Sequence, residues 1–411
     1  MPKLRGGRLR AGWRNPNRTI RRPLTPQLPP GTIPSMKPSR YVINHPAGPD
    51  WDNTAGRAFT EPGVRDFHRS LPGYAPTPLV AAPELAAELG LGAVYIKDEA
   101  RRFDVAAFKV LGASWAIQRH LAQRPETETF CTATDGNHGM AVAWAAAHFQ
   151  RRAVVYMPRG TADARSRRIA QRGAAVHVLD ADYDAVVAHA ANRAEHEGWT
   201  LIQDTARPGY EEVPARIQAG YLTLFEELTE QGLHGSDDPG VELVLLPVGV
   251  GSFAAAAVHF YHTRYGKRRP RLLGVEPLRA ACLLESLRVG SPRSVSTPGT
   301  LMAGLNCGTL SSIAWPPLRD GLDGTLALDD GWIPRAVRRC AALREPVVSG
   351  ETGASGLAAL LALGEDCAPA PLRQHLGLAE TSRALLINTE GATDPAAHQR
   401  LLAGLGTAQD G

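Results

Sequence analysis

Short apolar runs alternate with helix-like segments along the chain from about residue 74 onward. One such series runs from a strand at 152–158 through a helix at 164–173 to a strand at 174–180. Strands separated by helices at this spacing are typical of βαβ units, so the pattern predicts an α/β protein with parallel strands in two lobes. The other predicted strands, some with the loop that follows, are at 93–100, 128–139, 200–206, 241–252, 271–277 and 383–391. The other predicted helices are at 110–123, 140–150, 182–198 and 211–231.

The first 40 residues differ in composition from the rest of the chain. They contain ten lysines and arginines, eight prolines and no acidic residue. Such segments cannot bury a core, so we expect 1–40 to be a disordered extension or a wrongly assigned start, with Met36 as an alternative first residue. A transit-like address or a phosphate-binding arm stays open, whereas the lack of an apolar stretch argues against a secretory signal peptide.

Charge and composition exclude several kinds of protein. The 411 residues are 44% hydrophobic and 21% charged, as in a globular protein of two domains. Beyond residue 40 there are 35 basic and 41 acidic residues, so we expect no nucleic-acid partner. Five cysteines without a CxxC pair predict no metal site, no disulfide framework and a cytoplasmic location. No run of about 18 apolar residues exists, so we expect no membrane span.

Candidate chemistry is sought where predicted strands end, because ligands of open parallel sheets bind at the carboxyl ends of the strands. The first candidate is Lys109, which begins a predicted helix among apolar neighbours in 101–114. Such surroundings can lower the pKa of an ammonium group, which favours Schiff-base formation. A lysine entering a helix more often extends to water, so Lys109 alone does not identify a site.

The second candidate is the polar loop at 132–140. Gly136 and Gly139 allow the backbone to approach a ligand, and Asn137 offers a donor and acceptors at a helix N-terminus. An ordinary turn has the same composition, so this loop too is ambiguous by itself. His138 is interpreted as a packing or orienting residue with no acid–base role.

The third candidate lies between an apolar strand and an alanine-rich helix. It consists of Gly249, Val250, Gly251 and Ser252. Backbone N–H groups at such a helix start, together with the helix dipole, suit a phosphate group. The lysine of a P-loop and the third glycine of a dinucleotide fingerprint are both missing, so a nucleotide is not indicated. Close packing of a turn is the alternative interpretation.

The fourth candidate is the segment 385–395, in which a buried strand delivers Asn388, Thr389 and Glu390 into a loop. A capped strand end would have the same residues. Taken together, however, the four segments can hold one cofactor, pyridoxal phosphate. Lys109 would bond to its aldehyde, Asn137 would contact the ring hydroxyl, residues 249–252 the phosphate, and Thr389 the pyridine nitrogen. A hydroxyl at that nitrogen leaves it neutral, which suits elimination better than transamination.

From about Tyr74 to Pro395 the sequence resembles the tryptophan-synthase-like, or fold type II, pyridoxal phosphate enzymes, and among them the diaminopropionate ammonia-lyases. The resemblance rests on IKDEARRFDVAAFKVLGAS, TATDGNHGMAVAWAA, QDTARPGYEEVPARIQAGY, GVGSF, TLMAGLNCG, SGETGASG and NTEGATDP. It implies two lobes with twisted parallel sheets flanked by helices, and a homodimer. We expect a large cofactor-binding domain from 41–115 and 215–411 and a small domain from 116–214.

The resemblance also implies a reaction, the α,β-elimination of ammonia from the amino acid 2,3-diaminopropionate to give pyruvate and two ammonia. Dehydratases of this fold usually have a small or hydroxyl residue at the position of Asp135, near the substrate carboxylate. The family implies that Asp135 removes the Cα proton, with Lys109 serving from the opposite face for the other enantiomer. Asp204 matches a second acid that would pair with the second substrate ammonium, although a solvated turn aspartate is the alternative.

Departures from the family pattern leave details open. Asn388 replaces a serine, so the residue that meets the pyridine nitrogen is uncertain from sequence alone. Asn306 replaces a small residue near the expected substrate pocket, so substrate preference could differ. Cys282 and Cys307 match a cysteine pair near the active site, and free, packed thiols are favoured over a bridge.

Other functions stay open at this point. A serine or threonine dehydratase, or a β-replacing synthase of the same fold, is the nearest alternative, and Asp135 with Asp204 argues against it. A non-catalytic binding protein is disfavoured by Lys109. A nucleic-acid-associated protein acting through 1–40 is disfavoured by the acidic remainder of the chain.

Overall fold

The computed structural model of the chain describes residues 39–46, 61–364 and 370–404. The predicted extension at 1–40 lies outside the described residues, apart from its last two positions. In the described part of the chain, no helix has the length and apolar composition needed to span a bilayer.

Eleven strands are present in the described residues. They are β1 (Arg40–Ile43), β2 (Leu79–Ala81), β3 (Ala93–Asp98), β4 (Thr129–Ala133), β5 (Arg152–Pro158), β6 (Ala175–Leu179), β7 (Thr200–Leu201), β8 (Leu243–Pro247), β9 (Arg271–Pro277), β10 (Gly324–Leu328) and β11 (Arg383–Asn388).

The α-helices of the described residues are α1 (Val64–Ser70), α2 (Pro83–Leu89), α3 (Lys109–Gln123), α4 (Asn137–His148), α5 (Asp163–Ala170), α6 (Tyr183–Glu197), α7 (Glu212–Glu230), α8 (Ser252–Tyr265), α9 (Cys282–Val289), α10 (Trp315–Gly321), α11 (Trp332–Ala341), α12 (Ser355–Gly364), α13 (Ala370–Leu376) and α14 (Pro395–Leu402). Short 3-10 helices lie at Glu99–Arg101, Gly266–Arg268, Leu278–Ala280 and Ala303–Leu305.

The strands form two sheets, and the predicted α/β fold class is confirmed. The larger sheet has the order β1-β10-β9-β8-β11-β3-β2, with its five central strands parallel. The smaller sheet has the order β6-β5-β4-β7 and is parallel throughout. The central strands of the large sheet are almost wholly buried, as expected when helices cover both faces of a parallel sheet.

The sequence prediction missed parts of the large sheet. Its two edge strands, β1 and β2, pair antiparallel with their neighbours. At four and three residues they are too short to show a hydrophobic period. The buried strand β10 was also missed, because it begins at Gly324 and has no β-branched apolar residue. The strand predicted at 200–206 is only two residues long, since the chain turns away after Leu201.

The helix that begins at Lys109 is held by a close helix crossing. A Cβ at Gly112 of α3 would lie 2.7 Å from Ile217 Cγ2, and one at Gly220 of α7 would lie 2.5 Å from the Leu111 carbonyl oxygen. Only glycine permits this approach of the two backbones. The crossing fixes α3, and therefore fixes the point from which the Lys109 side chain starts.

The loop before Lys109 is anchored by a buried cluster of four charges. Arg102 binds Glu99 at 2.8 Å and Glu227 at 2.7 Å, and Lys97 binds Glu227 at 2.7 Å. All four side chains are at most 1% exposed. Since each charge has a partner, the cluster avoids the cost of an uncompensated buried ion.

Removing one member of this cluster should be costly. We expect Glu227→Gln to lower the free energy of unfolding by about 3–5 kcal/mol, because Arg102 and Lys97 would then be buried with unbalanced charge. Urea denaturation monitored by circular dichroism measures the change. Glu230→Gln is the matched control on the same helix, since its side chain is 35% exposed and its surface pairs contribute about 1 kcal/mol or less. Equal effects of the two substitutions would contradict the interpretation.

Candidate active site

The residues predicted for the site all line one cavity at the carboxyl ends of strands from both sheets. They are Lys109, Asp135, Asn137, Asp204, Gly249, Val250, Gly251, Ser252 and Thr389. Asp135 and Asn137 follow β4, residues 249–252 follow β8, and Thr389 follows β11. The rule that ligands bind beyond strand ends in parallel sheets therefore located the cavity from sequence.

Lys109 and Asp204 form an ion pair in the cavity wall, with 20% and 6% of their side chains exposed. Burial alone would lower the pKa of the Lys109 ammonium, as the apolar sequence context predicts. The Asp204 carboxylate outweighs that effect, so the pKa of Lys109 is raised above its ordinary value. The expectation of a depressed pKa is thus wrong for the protein without cofactor, since the sequence does not show which carboxylate meets the amine.

The partner carboxylate is correspondingly acidic. Burial favours the neutral form of Asp204, but the Lys109 ammonium, with His138 next, holds the pKa of Asp204 at about 2. Asp204 is therefore charged throughout the physiological pH range. The alternative of a solvated turn aspartate is wrong, because only 6% of its side chain is exposed.

Asp135 has a different environment from Asp204. Burial raises the pKa of Asp135 to about 6, and the opposing charge of Arg165 limits the rise. A carboxylate with this pKa is mostly ionised at neutral pH and is still basic enough to accept a proton. Asp135 is therefore a much stronger base than Asp204.

Asn137 is held by a carboxylate that the sequence prediction did not assign. Its Nδ2 group donates to Glu390 Oε2, and Glu390 Oε1 accepts from the Thr352 backbone N–H at 3.0 Å. Glu390 is 2% exposed. Because α4 covers the small sheet and Glu390 follows β11 of the large sheet, this bond joins elements from both sheets at the cavity.

The loop at 249–252 has the geometry of an anion-binding helix start. Gly251 is the N-cap of α8 with φ of 91°, and the N–H groups of the first turn have no acceptor within the helix. A Cβ at Gly249 would lie 3.1 Å from Cys307 Sγ. The Ser252 hydroxyl donates to the Asp204 carbonyl at 2.8 Å, so backbone groups are the donors left for a phosphate.

Asn388 and Thr389, the two candidates for a contact to the pyridine nitrogen, have different surroundings. Asn388 points away from the cavity, since its Nδ2 donates to Asp98 Oδ1 at 2.7 Å and its Oδ1 accepts from Ser349 Oγ at 2.8 Å. Thr389 lines the cavity, is 3% exposed, and its Oγ1 has no hydrogen-bond partner among the described residues. A buried hydroxyl without a partner fits a contact to a bound group. Together with the helix start at 249–252 and the lysine, it makes the cavity fit pyridoxal phosphate.

Three other predictions from the sequence concern His138, the two cysteines near the site, and Asn306. His138 Nε2 lies 2.8 Å from the Ile202 carbonyl, and burial lowers the pKa of the imidazole, as expected of an orienting residue. Cys282 and Cys307 are free thiols, and burial raises the pKa of Cys307 to about 12. Asn306 is not among the residues that line the cavity, although its neighbours Leu305 and Cys307 are.

Sequence reasoning missed several residues of the cavity wall, among them Arg165 and Tyr183. Arg165 is on α5, which follows β5, and Tyr183 begins α6, which follows β6. Applying the strand-end rule to these two strands of the small sheet would have found both. Thr352 lies in a loop before α12, within the segment SGETGASG that carries the family resemblance, but the sequence analysis gave it no role.

Comparison with known proteins agrees with this geometry. A profile of the pyridoxal-phosphate dependent enzyme family matches residues 71–371. Over 360 residues the chain is 39% identical to the diaminopropionate ammonia-lyase of Salmonella typhimurium, covering 81% of this chain and 89% of that protein. The chain belongs to the diaminopropionate ammonia-lyase family. Its cofactor is pyridoxal phosphate, as in the wider family.

Solved structures of this family have the same fold. The Escherichia coli diaminopropionate ammonia-lyase in complex with D-serine matches with a TM-score of 0.81 and 32% identity, over 90% of this chain and 97% of that chain. A second structure of that enzyme, in complex with an aminoacrylate-PLP azomethine reaction intermediate, matches with a TM-score of 0.79 and 33% identity, over the same shares.

The helix start at Gly251 can be tested by adding a methyl group. In Gly251→Ala the new Cβ would lie 2.6 Å from Leu318 Cδ1 at a positive φ, so we expect the loop to shift and the affinity for pyridoxal phosphate to fall about tenfold or more. Titration of the apoprotein with the cofactor, followed by absorbance, measures the affinity. Gly290→Ala is the control, because Gly290 has a φ of 73° with open space around it and does not line the cavity. Unchanged cofactor affinity in Gly251→Ala would exclude this loop as the phosphate site.

Proposed function

We propose that the chain catalyses the α,β-elimination of ammonia from 2,3-diaminopropionate, giving pyruvate and two ammonia. The observation that carries the proposal is the convergence of Lys109, Asp135 and Asp204 on one cavity in a member of the diaminopropionate ammonia-lyase family. The substrate has one carboxylate and two ammonium groups, so a cavity in which Asp135 and Asp204 differ in basicity suits its charge.

The cofactor is bound by four parts of the cavity. Lys109 would hold it covalently through Nζ, and the N–H groups of residues 249–252 would bind its phosphate. Asn137 would bind the ring hydroxyl, and Thr389 would bind the pyridine nitrogen. Pyridoxal phosphate supplies an electron sink for the charge that develops at Cα. Glu390 orients Asn137 through the hydrogen bond to its amide, so that the second amide hydrogen is available to the ring hydroxyl.

Proton transfer is divided between two groups. Asp135 removes the Cα proton of one enantiomer, which its pKa of about 6 permits at neutral pH. Lys109 serves the opposite face. Asp204 stays ionised and binds the β-ammonium, and a nearby negative charge keeps that ammonium protonated, as a departing ammonia requires.

A serine or threonine dehydratase is the second candidate function, and the same carboxylates disfavour it. The β-substituent of serine is a neutral hydroxyl, which gains little from a fixed charge at Asp204. We therefore infer a preference for a diamino acid over a hydroxy amino acid.

We also propose a two-domain homodimer that acts in the cytoplasm. The four-stranded sheet lies within 116–214 and the large sheet takes its strands from the segments on either side, which supports the domain division. Free thiols at Cys131, Cys282, Cys307 and Cys340 support a reducing compartment. The dimer rests on the resemblance to the ammonia-lyases.

The stoichiometry of the products tests the proposed reaction. We expect the purified protein with pyridoxal phosphate to release two ammonia per pyruvate from D- or L-diaminopropionate. We expect much slower turnover with serine and threonine, because neither carries a second ammonium for Asp204. Coupled assays for pyruvate and ammonia measure both products. Faster turnover of serine than of the diamino acid would favour the dehydratase.

Substitution of Asp135 tests its role as a base. We expect Asp135→Asn to lower kcat/KM for the D-isomer by about 100-fold or more, and to affect the L-isomer less. In the unaltered protein, D-isomer activity should rise with pH through about 6, because the base acts only when deprotonated. This acidic limb should be missing from the residual activity of the variant. Equal losses for the two enantiomers would refute the assignment.

A further inference from the structure

Arg165 is a cationic side chain of the cavity wall that takes no part in the cofactor contacts or proton transfers proposed above. It lies on α5 and lines the cavity beside Asp135. A Cβ at Gly136 would lie 3.0 Å from Arg165 Cδ and 3.7 Å from Nε, so the arginine passes directly over the loop that presents Asp135 and Asn137. Toward the described residues, its guanidinium makes no hydrogen bond or ion pair within 4 Å, so its donors are available to a ligand.

The position of α5 is fixed by a neighbouring arginine. Arg168 donates to the carbonyl oxygens of Thr393 and Val105, both at 3.3 Å. Thr393 lies beyond β11 and Val105 lies in the loop before Lys109. These bonds, together with the buried Ile169, hold one side of α5 against the elements that carry the cofactor lysine. Arg165 is thus presented to the cavity by a helix that is anchored one turn after it, at Arg168 and Ile169.

The cavity wall carries more carboxylates than cationic side chains. The carboxylates of Asp135, Asp204 and Glu390 line the wall, and the cationic side chains in the described wall are Lys109 and Arg165. Once Lys109 is engaged in holding the cofactor, Arg165 is the cation left to face three carboxylates. A substrate carboxylate that enters beside Asp135 would be repelled unless a positive charge lay between or beside them.

We propose that Arg165 determines specificity by binding the α-carboxylate of the amino acid substrate next to Asp135. A guanidinium matches a carboxylate through two parallel N–H···O bonds, which fixes orientation as well as charge. The same cation separates the substrate carboxylate from Asp135, so the base can sit close to Cα without excluding the substrate. This inference rests on the proposed function, because that function supplies the identity of the substrate.

The test compares a substrate with its neutral counterpart. In 2,3-diaminopropionamide an amide replaces the carboxylate, and ammonia release is measured for both compounds. We expect Arg165→Gln to raise KM for diaminopropionate by about 10- to 100-fold, the size expected for loss of a charge-assisted hydrogen bond. KM for the amide should change little. Arg165→Lys should show a smaller loss, since it keeps the charge without the paired geometry. Arg167→Gln is the matched control, because Arg167 is on the same helix, is exposed and does not line the cavity.

A binding measurement separates this inference from the proposed reaction. Alanine has the α-carboxylate and α-amine but no leaving group, and its binding to the cofactor-loaded protein is followed by the absorbance of the cofactor. We expect Arg165→Gln to weaken alanine binding by a similar factor while leaving cofactor affinity unchanged. Unchanged alanine affinity, or equal KM increases for diaminopropionate and its amide, would overturn the role of Arg165. Absence of pyruvate formation by the unaltered protein, with alanine binding still dependent on Arg165, would refute the proposed reaction alone.

Discussion

Lys109 and Asp204 form an ion pair whose members come from different parts of the fold. Lys109 begins α3 after the loop that leaves β3 of the large sheet, and Asp204 follows β7 of the small sheet. Each charge stabilises the charged form of the other, which raises the pKa of the lysine and lowers that of the aspartate. The pair therefore requires both sheets to be placed correctly, and it fixes the position of the Lys109 amine at the cavity.

The accuracy of that placement depends on the loop that precedes Lys109. Phe103 and Ala106 have positive φ values of 46° and 59°, which are strained for residues other than glycine. The strain is compatible with a stable fold because Arg102 is fixed in the buried charge cluster on one side. On the other side the Phe108 N–H donates to the Thr389 carbonyl at 3.3 Å. The same bond links the lysine segment to the strand end that carries the Thr389 hydroxyl.

The sequence predicted local features well and long-range partners poorly. Helices α3 and α7 were predicted to within one residue, because their apolar period and their ends are local properties. Gly249–Ser252 and Lys109 were found for the same reason. The partners of Lys109 and Asn137 lie 95 and 253 residues away in the chain, so no local pattern could pair Glu390 with Asn137 or give the direction of the lysine pKa. The rule that ligands bind at strand ends predicted where the site lies. Tertiary packing determines which side chains of the site pair with each other.

Two carboxylates in one cavity have different tasks because their surroundings differ. Asp204 meets a cation directly, so its pKa is about 2 and it serves as a fixed charge. Asp135 is buried without a hydrogen-bonded cation, so its pKa is about 6 and it can exchange a proton near neutrality. Had Arg165 bonded directly to Asp135, that carboxylate would have become a second fixed charge and a poor base. The distance that Arg165 keeps from Asp135 is therefore part of what makes proton abstraction possible, and it leaves the guanidinium available for the substrate.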